Sequence, residues 1–174
     1  MDSNGWLARA NRIHQAFGNL IAWLTPAMAA VTFLLVAMRY LIGAGNLIFI
    51  QETVIYLHAI TFMLGAGWTL GRNGHVRVDV FYRRWSPRTR AWIDALGTLV
   101  FLFPVAVFIL LSSLGFVGQS WAINESSAEA GGIAALYLLK SLIPLMALLL
   151  IFQGTLELVR NAGILLEPPA EKSS

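Results

Sequence analysis

The chain alternates long apolar runs with short polar ones, and four of the apolar runs, roughly 20–42, 47–70, 92–121 and 134–159, are each long enough to cross about 30 Å of hydrocarbon. Such runs place a segment in lipid as a helix, because only a helix or a closed barrel satisfies its backbone polar groups without water. The pattern therefore predicts an all-α membrane protein of four transmembrane helices, at about 20–42, 47–70, 86–121 and 134–159. The third begins early because Ser86-Pro87 reads as an N-cap followed by proline at the first helical position. It would run about 54 Å at 1.5 Å per residue, longer than one bilayer, so it must tilt, kink or project. Pro104 offers the kink, and Pro26 offers another in the first helix.

The polar segments then assign sides. Residues 71–90 read GRNGHVRVDVFYRRWSPRTR, with Arg72, Arg77, Arg83, Arg84, Arg88 and Arg90 against one acid, Asp79. Arginine near a membrane end resists translocation, so this connector is expected on the cytoplasmic side. Arg9 and Arg12 before the first segment, and Arg160 and Lys172 after the fourth, agree with it. Both termini are then cytoplasmic. The opposite side holds only the Gly43–Asn46 turn and the acidic segment 124–132, NESSAEAGG.

Residues 1–19 form a polar, amphipathic lead in which Trp6, Ile13 and Phe17 can rest among headgroups. The first run resembles a signal sequence with a small-x-small site at Ala27-Met28-Ala29, but it continues past that site, so a retained signal anchor is expected. In the connector, Val78, Phe81, Tyr82 and Trp85 recur at helical spacing and predict a short amphipathic cytoplasmic arm. Residues 161–174 are expected to form a flexible tail.

Composition narrows the chemistry. Hydrophobic residues are 57% of the 174 and charged ones 12%, which makes a bilayer the natural solvent. The formal charge of +3 is concentrated in the connector, a pattern of topology rather than of nucleic-acid binding. The absence of cysteine excludes disulfides and thiolate metal sites.

A few polar residues lie within the spans. Counted from the Gly43–Asn46 turn, Arg39 and Glu52 stand at matching depth, so an Arg39–Glu52 ion pair is expected, since either charge alone is costly there. Separate snorkelling to the headgroups, or a proton-binding role for Glu52, are the alternatives. His58 lies deeper, on a stripe with Thr61, Gly65 and Thr69, and is expected to hydrogen-bond inside a helix interface rather than serve a haem or a proton relay. Lys140 either snorkels outward or reaches Glu52, a partner subunit or lipid. Glu157 and Arg160 read as a solvated pair. No nucleotide, metalloprotease or esterase motif is present, so no catalytic, cofactor or metal residues are assigned.

With these residues in view, the stretch from Glu52 to Arg160 resembles the small membrane subunit of tripartite ATP-independent periplasmic (TRAP) transporters, the DctQ-like family. The likeness rests on Gln51-Glu52, on Gly71-Arg72-Asn73-Gly74-His75-Val76-Arg77-Val78-Asp79, on Ser86-Pro87, on Leu139-Lys140-Ser141-Leu142-Ile143-Pro144 and on Gln153. The resemblance implies a scaffold in the bacterial inner membrane that supports a large multi-span subunit. That subunit imports a solute, an organic acid by expectation, using a sodium gradient after a periplasmic binding protein delivers it. Lys140, His75, Arg77, Asp79, Arg83 and Arg84 are then candidate contacts for the partner or for lipid. Two other readings stay open: a small proton-coupled exchanger working through Glu52, and a haem or quinone membrane anchor working through His58.

Overall fold

The computed structural model describes residues 12, 15–16, 18–72 and 84–166. They form four helices long and apolar enough to cross a membrane: α1 (Gly18–Leu41), α2 (Ile48–Gly71), α3 (Pro87–Ala122) and α4 (Leu136–Leu166). Their outer faces carry large apolar side chains with nothing of the chain over them, Phe33, Phe101 and Phe108 being 75%, 71% and 71% exposed. Such surface is stable only against lipid or another membrane protein.

Each helix end has a local cause. The α1 helix stops at Gly43, whose φ of +66° suits glycine, and the Ala44 amide folds back onto the Met38 carbonyl at 3.1 Å. The α3 helix starts as expected, with the Ser86 hydroxyl accepting from the Thr89 amide at 3.2 Å and Pro87 in the first turn. The α4 helix runs through Leu166, so residues 161–166 belong to the helix and not to the tail. Residues 161–166 contain no proline to break the helix.

Both proline expectations resolve as changes of helix winding. Within α3, Thr98–Leu102 is wound as a π-helix, and the Phe103 amide bonds the Thr98 carbonyl. Pro104 has no amide to give and its ring crowds the carbonyl four residues back, so the turn before it widens. In α1 the irregular turn is at Trp23, whose amide reaches only to the Leu20 carbonyl at 3.2 Å, three residues ahead of Pro26.

The α4 helix is the hub. It packs against both α2 and α3, while α1 packs on α2. Small residues permit the approach: Ala106, Ser113 and Ser120 of α3, and Ala147 and Gly154 of α4, are buried. Without a hydrophobic drive between helices in lipid, close backbone contact is what holds them. At Gly154 the α3 π-turn comes so near that a Cβ would collide with Leu102 and stand 2.8 Å from Phe103 Cε1.

Candidate functional site

The end of the bundle opposite the arginine connector is closed by residues 123–135, which join α3 to α4 and fold back over α2. The loop is internally bonded: the Glu125 amide donates to the Ser120 carbonyl at 3.0 Å, the Leu136 amide to the Glu125 carbonyl at 3.0 Å, and the Ser127 amide to the Ile133 carbonyl at 3.2 Å. Glu52, one turn into α2, is its anchor. Its carboxylate accepts from the Ser127 hydroxyl through Oε1 and from the Ile133 amide through Oε2 at 2.5 Å. The Asn46 side chain adds a second tie, donating to the Ala130 carbonyl at 3.3 Å while its oxygen accepts from the Ile48 amide at 3.2 Å. Two stretches distant in sequence, 46–52 and 127–133, are thereby fastened together, and a carboxylate at a backbone amide makes a charge-assisted bond.

The expected Arg39–Glu52 pair is not formed. Both Glu52 oxygens are taken by the loop, and Arg39 is exposed on α1. Matched depth in a hairpin fixes height but not azimuth, and a residue turns 100° about its helix at each step. Ser127, Ile133 and Asn46 were not singled out from the sequence. The available signal was the glycine-rich, weakly polar character of 124–132, which permits a tight fold-back without naming its anchor.

Lys140 does not reach Glu52 but extends toward the loop at the end of the bundle. Its ammonium pairs with Glu125 in the loop at 2.5 Å and lies 4.1 Å from the centroid of the Phe116 ring. Beside it, Trp121 donates to the Ser141 hydroxyl at 2.8 Å and meets Tyr137 edge-on at 4.6 Å. The Lys140 ammonium holds the Glu125 carboxyl below its ordinary value of 4.5. A depressed carboxylate contributes stability that is complete above its ordinary value and is lost as pH falls through the folded one. Lys140→Met should therefore lower the unfolding midpoint at neutral pH, and the gap from the unsubstituted protein should close as pH is taken below 4.5. A gap unchanged in acid would assign the role of Lys140 to its contact with Phe116 instead.

At the connector end the polar contacts tie helix termini. Arg72 lies 4.8 Å over the Trp68 ring and reaches Asn19 at 3.5 Å, and Arg88 donates to the Leu165 carbonyl at 3.2 Å. Gln153, Glu157 and Asn161 recur at four-residue steps on α4 and are all buried, Gln153 to 1%. The Glu157–Arg160 pair, 2.5 Å apart, is thus not the solvated one expected: Glu157 faces the bundle, and Arg160 covers it from outside. Three apart on a helix predicted contact but not which way the pair faced.

His58 also departs from expectation. It is exposed on α2 and stacks on Phe62 at 6.3 Å, rather than hydrogen-bonding within a helix interface. Among the candidate contacts for partner or lipid, Arg84 is exposed just before α3, while His75, Arg77, Asp79 and Arg83 lie outside the described residues. Among the described residues, no three of His, Asp or Glu come together as metal ligands do.

Four helices long and apolar enough to cross a membrane, packed on a central one and closed at one end by a bonded loop, define a small multi-pass membrane protein. Residues 28–163 match the family described as "Tripartite ATP-independent periplasmic transporters, DctQ component", and the chain belongs to that family. It is a small subunit of a TRAP transporter, and such subunits are not an enzyme class. Over 112 residues the chain is 30% identical to the C4-dicarboxylate TRAP transporter small permease protein DctQ of Vibrio cholerae serotype O1. The alignment covers 64% of this chain and 47% of that protein, about half its length. No solved structure matches.

Proposed function

We propose that the chain is the fixed support of a solute importer in the bacterial inner membrane, with the arginine connector and both termini in the cytoplasm and the 123–135 loop outside. A large multi-span subunit carries the solute and couples it to sodium, after a periplasmic binding protein delivers it. The solute is an organic acid, with four-carbon dicarboxylates the first class to try, because the relative from Vibrio cholerae bears that name. The observation that carries the support role is the engagement of Glu52 by the loop. A transport carboxylate must be open to its ion at some point in a cycle, whereas both oxygens of Glu52 hold hydroxyl and backbone donors that fasten the 123–135 loop to α2. The same economy is seen at Lys140–Glu125 and Glu157–Arg160.

The test is reconstitution. Liposomes carrying this chain alone should take up no labelled dicarboxylate under a sodium gradient. Liposomes with the large subunit, this chain and the binding protein should take it up, and omission of this chain should abolish it. Uptake by the isolated chain, or full uptake without it, would end the support reading.

A further inference from the structure

An imidazole on the outside of a membrane helix, near mid-depth, is the feature of this structure that the support role does not use. His58 is the eleventh residue of α2, about 15 Å along the axis from Ile48 at 1.5 Å per residue. It is exposed, it stacks on Phe62, and among the described residues neither ring nitrogen finds a hydrogen-bond partner. Among the described residues no other ionisable side chain stands exposed in the central third of a span. A neutral imidazole still carries one N–H donor and one acceptor nitrogen. Left in hydrocarbon, each costs free energy that a hydrogen bond would recover, and His58 is too deep to snorkel to a headgroup.

The surrounding face is shaped for a helix. Gln51, Ile55, His58, Phe62 and Gly65 fall within about 80° of arc at 100° per residue. Gln51 is exposed, Ile55 and Phe62 are 50% and 67% exposed, and a Cβ built on Gly65 would meet no other atom. By contrast, the exposed aromatics of α1 and α3, such as Phe33 and Phe108, are apolar side chains that lipid satisfies. The family to which the chain belongs supplies one component of a tripartite assembly, and the proposed function gives it a large multi-span subunit as its neighbour in the membrane.

We infer that this face of α2 is the docking surface for the large membrane subunit, and that His58 hydrogen-bonds a polar group on one of that subunit's helices. A backbone carbonyl in a small-residue groove, a hydroxyl or a carboxylate fits the imidazole N–H. The inference rests on the proposed function and adds which of the three outward faces meets the partner.

The experiment uses the co-expressed membrane complex with a photoreactive benzophenone amino acid placed singly at Phe62, Phe33 or Phe108. Irradiation should join the chain to the large subunit from Phe62 and yield lipid adducts from the other two. In parallel, His58→Leu should lower recovery of the large subunit with the tagged chain about three- to tenfold, the range for one hydrogen bond between membrane helices. His58→Gln, which keeps a donor and an acceptor, should restore most of it. Crosslinks to the large subunit from Phe33 or Phe108 but not Phe62 would overturn the face while leaving the small-subunit reading intact. A Phe62 adduct with a second copy of this chain would overturn the choice of partner. Failure of any multi-span subunit to co-purify with the unsubstituted chain would remove the proposed function and this surface with it.

Discussion

Replacing Glu52 with alanine should cost the bundle about 2–4 kcal/mol, because it deletes two charge-assisted hydrogen bonds and strands the Ile133 amide at the end of the bundle. Glu52 is half-buried, so water recovers part of that loss, and the upper end of the range is reached only if the loop stays in place. Glu52→Gln keeps one good acceptor and should lose about half as much. Ser127→Ala removes a single donor to the carboxylate and should fall below both. Thermal unfolding of the detergent-purified protein reads the ranking. Limited proteolysis reads its cause, since the Ala variant should be cut within residues 123–135 while the unsubstituted protein resists. If Arg39→Ala destabilised as much as Glu52→Ala, with no new cleavage in the loop, the anchoring role would be wrong and the charge-pairing expectation would return.

Gly154→Val should cost about 3 kcal/mol, at the upper end of what overpacking a tight interior causes. The added atoms would be driven into Leu102, the last residue of the π-turn of α3, and Phe103 just after it, and Thr98 Cγ2 already stands 3.3 Å from where the Cβ would be. Relief requires α3 to move off the hub helix. Gly163→Ala is the control on the same helix. Gly163 is exposed, its Cβ would meet nothing within 4 Å, and the change should be neutral or stabilising by up to about 1 kcal/mol through helix propensity. A far-ultraviolet melt separates the two, and equal effects at both positions would show that backbone freedom, not the α3–α4 contact, sets the cost. Gly67 makes a milder close approach on the other flank of the hub, where a Cβ would lie 3.3 Å from the Leu149 carbonyl oxygen. Together these glycines let one helix serve two neighbours.

Much of the fold was readable because lipid imposes a one-dimensional rule: a run of apolar residues long enough to span must be a helix that does. The four spans, the Ser86-Pro87 start and the Gly43 turn follow from that rule and from local backbone chemistry. The site was less readable. Arg39 and Glu52 were paired by depth alone, and Lys140 was left between an outward reach and Glu52. The structure gives Glu52 to Ser127 and Ile133, and Lys140 to Glu125, because a loop passes over the helix ends and brings donors that no periodicity announces. Glu157 and His58 were misplaced for the complementary reason. One faces the bundle and the other faces away from it.

The amino-acid sequence by itself determined that this protein belongs in a bilayer and that four of its segments are long and apolar enough to cross one. Those properties depend on what each short segment meets as solvent, a quantity summed along the chain. Only the tertiary structure decided that Glu52 is a fastener for residues 123–135, that Gln153, Glu157 and Asn161 turn inward, and that His58 is presented outward. Those depend on the rotation of each helix about its axis and on the path of one loop. The first is set by how small residues such as Ala147 and Gly154 let neighbouring backbones approach, the second by the bonds of the loop to Glu52 and Asn46, and the hydropathy of the spans is nearly indifferent to either.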